Sequence, residues 1–383
     1  MKLKLHSLSI AILALFAIAC NSYDHTSNLL VNEADYDTII DGKPIKLYTL
    51  TNGDATVQLC NYGGRIVSFV VPDKDGEPTL VVWQERTIEE CLNSPYQYAG
   101  VLIGRFANRI GNNGKVTIEG EEYQLSLNSE DKHSHGGFTG FTKTIWDATQ
   151  GVNSSGEPTL TLHHLSPDGD EGYPGNLDVT VVYTLQSDNE LRLDYTATTD
   201  APTIINLTSH PFFNLHGSWD VSSNSHLLTI HADRYTPSAQ DGLLTGEILT
   251  VEGTPLDFRT PHAIGERVNE ADPQLLRCHG YDTNHMLNNP MGEFGLAAEL
   301  YEPSTGIALE FYTDQPALQF YGGYYQGKVM RDRGIEPGRP LRYGVALEAQ
   351  NCPNAPHRPT FPNSVLMPGE TYTQSTSYKF VVK

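Results

Sequence analysis

The sequence predicts an all-β fold in which many short strands pack as an antiparallel sandwich or barrel. Two observations lead there. Apolar residues alternate with polar ones at period two through much of the chain, and clusters of Pro, Gly, Asn and Asp interrupt that alternation at short intervals. Amphipathic helical stretches are scarce, and nothing alternates strand with helix as a parallel sheet requires.

At the start of the chain, Lys2 and Lys4 precede an apolar run at 8–19 that closes in Ala17-Ile18-Ala19-Cys20. A charged leader, an apolar stretch too short to span a bilayer and small residues before a cleavage point read as an export signal over residues 1–19. Cys20 stands where a bacterial lipobox places its lipidated cysteine. The polar residues 20–35 are therefore expected to carry the lipid and act as a tether, with the membrane as partner through Cys20. The protein is expected in the bacterial cell envelope, facing the periplasm or held at the outer membrane. Residues 36–383 read as a single β-sandwich domain.

The clearest strands form a hairpin. Leu177, Val179, Val181, Tyr183 and Leu185 alternate with Asp178, Thr180, Val182 and Thr184, and after Ser187-Asp188-Asn189 the pattern resumes at Leu191, Leu193 and Tyr195. Similar runs lie at 65–71, 159–162, 227–231, 307–313 and 317–321. Pro72-Asp73-Lys74-Asp75-Gly76, Asn112-Asn113-Gly114 and Glu336-Pro337-Gly338 supply turns between strands. Short helices are expected at 88–92 and 263–268.

Several functions are disfavoured. The 383 residues carry 25 basic and 46 acidic side chains, a net charge of −21, which opposes nucleic-acid binding. Cys60, Cys91, Cys278 and Cys352 have no zinc or redox spacing and read as buried thiols. Residues 322–328 fit the spacing of a phosphate loop, but Val329 replaces the metal-binding hydroxyl, so a loop beside a strand is expected. His133 and His135 would share one face of a strand, yet no further ligand set accompanies them, while His163 and His164 must face opposite ways. No nucleophile elbow is present. No metal and no cofactor are expected.

What remains is a set of polar residues in apolar, glycine-rich surroundings: Gly104-Arg105-Phe106-Ala107-Asn108-Arg109, His135-Gly136-Gly137, Asn206-Leu207-Thr208-Ser209-His210-Pro211-Phe212, Gly280-Tyr281-Asp282 and Leu347-Glu348-Ala349-Gln350-Asn351. Burying ionisable groups is costly unless they are paired or used. By residue chemistry alone, Arg109 with Asp282 fits a structural ion pair and His210 a core histidine as well as either fits a site. Strand alternation puts Glu348 on the face opposite Leu347 and Ala349.

Together with Asn61-Tyr62-Gly63-Gly64, Asp168-Gly169-Asp170-Glu171-Gly172-Tyr173-Pro174-Gly175, Asp257-Phe258-Arg259 and Gln319-Phe320-Tyr321, these segments resemble the aldose 1-epimerases, or galactose mutarotases, in order from about Asp41 onward. The resemblance implies a large antiparallel β-sandwich and the interconversion of α and β anomers of free aldohexoses such as galactose and glucose. It makes Glu348 the general base, His210 the general acid and His135 a second histidine near the ring. Asn108, Arg109, Asp282 and Gln319 would hold sugar hydroxyls, with Pro211 and Phe212 lining the same site. Ser134, Pro211 and His285 depart from the family pattern and are expected near the sugar. Two rival readings keep the fold: an envelope lipoprotein that binds sugar without turnover, and a hydrolase or lyase for which Asp282 would be the second acid.

Overall fold

The computed structural model describes residues 25–334 and 341–383; the expected signal segment, Cys20 and the turn at Glu336-Pro337-Gly338 lie outside the described residues. The expected antiparallel β architecture forms, built mainly on three sheets.

The largest sheet has nine strands in the order Asp147–Val152, Pro158–Ser166, Leu177–Leu185, Glu190–Thr199, Tyr372–Val382, Ile307–Thr313, Gly295–Glu302, Leu227–Ile230 and His262–Ala263. The hairpin read from the sequence lies at one side of it, in a register that pairs Val181 with Tyr195 and Leu185 with Leu191. A four-stranded sheet holds Leu47–Asn52, Ala55–Cys60, Arg65–Pro72 and Pro78–Leu80. A five-stranded sheet runs Leu249–Thr250, Arg234–Thr236, Asp282–Met286, Ala317–Tyr321 and Ala346–Gln350. Apolar faces of all three meet in one core, where Val57 and Phe69 join Leu160, Val181 and Leu193, and Leu318, Phe320, Leu347 and Ala349 close the third side. That contiguous burial is the main force holding the sheets together.

Short helices form at Ile88–Asn93 and Ile264–Arg267, as expected. Thr87 caps the first by accepting from the Glu90 amide, and Glu90 reaches back to the Arg86 amide. The expected loop at 322–328 is a correction: Gly323, in the left-handed region at φ +74°, starts a helix at Tyr324–Asp332 that ends before Gly334. There is room for two and a half turns between the strand and that glycine. The part of the expected tether beyond Leu29 lies on the sandwich, because Val31 is buried and exchanges two hydrogen bonds with the Gln58 amide.

The four cysteines are buried free thiols, and burial pushes Cys60 and Cys352 up to about 12, which keeps them protonated and inert. His164 packs against Phe141 and Trp146 while His163 faces Asp178 outside, as strand alternation requires.

One buried cation fixes the segment leading to the site. Arg105 donates to the Ser166 hydroxyl and to the carbonyls of Ser166, Pro167, Pro174 and Gly175, with its guanidinium over the Tyr173 ring. Arg105→Met strands several buried acceptors at once. Urea denaturation is expected to show a loss of about 3 kcal/mol or more; an unchanged midpoint would mean that water replaces the guanidinium there.

Candidate active site

The polar face of the five-stranded sheet builds one wall. Antiparallel register aligns Asn284, Gln319 and Glu348 in one row and Asp282, Tyr321 and Ala346 in the next. Side chains two residues apart on a strand share a face. Glu348 therefore points away from the core that receives Leu347 and Ala349, as the alternation predicted.

His210 comes from a second element. Thr208–Ser209 pairs with Leu102–Ile103, and the His210 amide donates to the Val101 carbonyl at 3.0 Å. A third element brings His135 and Asn108. Arg109–Ile110 pairs with His133–Ser134, after which the chain turns through His135 at φ +48° against Asn108 at φ +62°. Positive φ at two non-glycine residues on one wall is strain the surroundings must hold. Gly136 allows the turn: a Cβ there would lie 1.8 Å from the Gly104 carbonyl oxygen. Glu171 pins the far side by accepting from the amide and hydroxyl of Thr139 and from the Ser126 hydroxyl.

These elements enclose a cavity of about 250 Å³ lined by Glu348, His210, His135, Asn108, Arg109 and Asp282, with Tyr96, Tyr98, Asn128, Ser129, Ser134, Tyr321 and Tyr325. His210 Nε2 lies 3.4 Å from Glu348 Oε1, and both side chains are almost wholly buried. Asp282 stands between Gln319, whose Nε2 donates to Oδ1 at 2.6 Å, and Arg109, whose Nη1 lies 3.8 Å from Oδ2. So the ion pair allowed by residue chemistry exists, and it is part of the cavity wall. Glu348 Oε2 is buried without a hydrogen-bond partner among the described residues, a cost that a hydroxyl-rich ligand in the cavity would relieve.

Burial shifts the facing groups in opposite directions. Desolvation and then the Asp282 charge push the Glu348 carboxyl well above its usual range, with Arg109 opposing. Desolvation pushes the His210 imidazole down to about 4. Burial thus favours the neutral form of each group, with the shared proton on the Glu348 carboxyl rather than on the imidazole. His135 is pushed well below 6.5 by burial, then by His210 and Arg109. Its Nδ1 accepts from the Asn108 amide at 3.3 Å, so the neutral ring carries its proton on Nε2.

Some expected placements differ. Phe212 does not line the cavity but packs behind it, 5.0 Å from the His210 ring and 5.5 Å from Tyr96; Pro211 is likewise buried off the wall. The reason is the bridge of Phe213 to Val82 and Val345, which turns the chain after His210 into the interior. Gln319 acts through Asp282 rather than on the wall. Of the three departures expected near the sugar, only Ser134 is there, since His285 points to the core side and meets the Thr283 hydroxyl at 3.1 Å. His133 and His135 do not share a face: the strand ends at Ser134, and His133 turns inward, with Nδ1 against the Ser126 carbonyl and Nε2 against the Tyr173 hydroxyl. The described residues contain no group of three or more potential metal ligands.

Sequence reasoning missed Tyr96, Tyr98, Asn128, Ser129 and Tyr325. The first two precede the Gly104 motif in a segment without periodicity, and Tyr325 sits on the helix read as a loop.

An antiparallel sandwich with a buried carboxyl and imidazole in contact inside a small polar cavity has the groups for acid/base chemistry on a small polar molecule. The family profile described as aldose 1-epimerase matches residues 46–379. The chain belongs to the aldose 1-epimerase family. It is 37% identical over 341 residues to the galactose mutarotase of Rattus norvegicus, covering 89% of this chain and 95% of that one. To the aldose 1-epimerase of Escherichia coli (strain K12) it is 36% identical over 346 residues, covering 90% and 97%. The crystal structure of galactose 1-epimerase from Lactobacillus acidophilus NCFM superposes with a TM-score of 0.78 at 29% identity, covering 90% of this chain and 97% of that one.

Proposed function

We propose that the cavity interconverts the α and β anomers of a free aldohexose, galactose or glucose, with Glu348 as base and His210 as acid. The observation that carries this reading is the 3.4 Å contact between their reactive atoms inside the cavity. Ring opening requires one proton to leave the C1 hydroxyl and one to reach O5 as the C1–O5 bond breaks. Glu348 takes the first and His210 gives the second; rotation about C1–C2 and the reverse transfers close the ring on the other face. The reacting form, carboxylate with imidazolium, has the same proton count as the resting pair, so a sugar bridging the two only redistributes a proton already present.

Arg109 and Asp282 supply a donor and an acceptor for sugar hydroxyls, with Asp282 held by Gln319. Asn108 and the Nε2–H of His135 complete the ring of contacts. Asp282 is committed to Arg109 and Gln319, which disfavours its service as the second acid of a hydrolase.

Polarimetry of freshly dissolved α-glucose and α-galactose tests the proposal. Acceleration proportional to protein concentration supports it. Sugar binding without acceleration would favour a binding protein, and reducing ends released from a polysaccharide would favour a hydrolase. The turnover plateau is expected to extend to about pH 4 on the acid side, because His210 takes a second proton onto the pair only near there. A fall centred at pH 6.5, the ordinary imidazole value, would contradict that.

We also propose export with lipid anchoring, supported by Lys2, Lys4, the apolar run and Cys20. Palmitate labelling that disappears in Cys20→Ser is the expected result; label retained by that variant would discard the anchor.

A further inference from the structure

Arg65, on the strand Arg65–Pro72, lies outside the cavity, is 1% exposed and is not used by the mechanism. Its guanidinium sits against the backbone of the segment that carries two of the cavity's aromatic walls. Nη1 donates to the Ala99 carbonyl at 2.5 Å and to Glu85 Oε2 at 3.2 Å, and Nη2 donates to the Gln97 carbonyl at 3.3 Å. Taking a guanidinium out of water is expensive, and it is tolerated here because a carboxylate and two carbonyls share it.

The gripped segment is irregular, so neither helix nor sheet fixes it. Yet its rings touch both histidines of the site. Tyr98 lies 4.7 Å from His135 and is stacked at 6.4 Å on His210, while Tyr96 meets His210 edge-on at 6.4 Å and Phe212 at 5.5 Å. The backbone closes the same circuit, because the Gly100 amide donates to the His210 carbonyl at 2.9 Å. Gly100 can carry no side chain, since a Cβ would lie 2.4 Å from the Ile66 carbonyl oxygen, one residue from Arg65.

We propose that Arg65, with Glu85 as its counter-ion, is a positioning residue for the anomerisation site: it clamps 97–99 so that Tyr96 and Tyr98 hold His210 and His135 in place. This rests on the acid/base reading of that cavity. Of the sugar-hydroxyl contacts, that of His135 leans on the clamp, while those of Arg109 and Asp282 come from other elements. A loosened clamp therefore moves the acid relative to C1–O5 while leaving sugar capture largely intact.

Arg65→Lys keeps the charge beside Glu85 but cannot span both carbonyls in fixed geometry. It is expected to lower kcat at least about tenfold with KM within about threefold, since a misplacement of about 1 Å can cost more than that. Long-range proton–nitrogen NMR of the histidine rings should show shifted signals for His135 and His210, a readout independent of turnover. Leu193→Ala, a core truncation in the nine-stranded sheet, serves as the control for a loss of stability away from the cavity and should leave kcat and those ring signals unchanged. If Arg65→Lys does not fold, Glu85→Gln, which preserves shape and removes the charge, is expected to act in the same direction. A folded variant with unchanged kcat and unchanged ring signals would overturn the proposal. Wild-type protein without anomerase activity, but with variant-sensitive ring signals, would overturn the functional reading and leave the clamp standing.

Discussion

Glu348→Gln is expected to slow anomer exchange at least about a hundredfold while leaving sugar binding largely intact, the usual worth of a positioned general base. The amide has the shape of the carboxyl and can still meet His210, but it cannot accept the C1 hydroxyl proton. The same change should not destabilise the fold. A carboxyl whose folded pKa is raised binds more protons in the native state than in the unfolded one between the usual value and the raised one. Its contribution to stability therefore falls as pH rises through that window. The neutral amide removes that cost, so thermal unfolding near pH 7 should occur at the same temperature or higher, while polarimetry shows the lost rate. A variant with full rate would discard Glu348 as base, and one that neither binds sugar nor folds would make its role structural.

His210→Asn is expected to cost a similar factor and also to change the shape of the pH profile. In the wild type the acid limb is expected where the imidazole, pushed down to about 4 by burial, gains a proton. With no imidazole, the residual rate should lose that limb and follow Glu348 alone. Calorimetric sugar binding should persist, because Arg109, Asp282 and Asn108 remain. Retention of both the rate and the limb would assign the acid elsewhere, and His135 with its Nε2–H is the next group in the cavity.

What the sequence disclosed depended on periodicity. The hairpin at 177–195 and the outward turn of Glu348 followed from alternation, because a strand has only two faces and one of them is apolar. Asn284, Gln319 and Glu348 could not be seen as a row, since cross-strand register between residues so far apart is set by the whole sheet. Alternation puts His135 on one strand face with His133 because it cannot foresee a left-handed residue at the strand's end. Tyr96 and Tyr98 escape it because an irregular segment has no period, and the cation that fixes them lies some thirty residues earlier in the chain. Phe212 stands two residues after the site histidine, which suggests a place on the same cavity wall, but a β-bridge at Phe213 draws it inside.

The central claim, that Glu348 and His210 work as one proton-transferring pair, is tested most directly by NMR exchange spectroscopy. The rate between α and β anomer signals of galactose would be measured with wild type, each single variant and Glu348→Gln/His210→Asn together. A pair acting as a unit loses nearly everything with the first substitution, so the double variant should be no slower than the worse single one. Losses that multiply would mean two independent contributions, and exchange unchanged in any of the three variants would contradict the account.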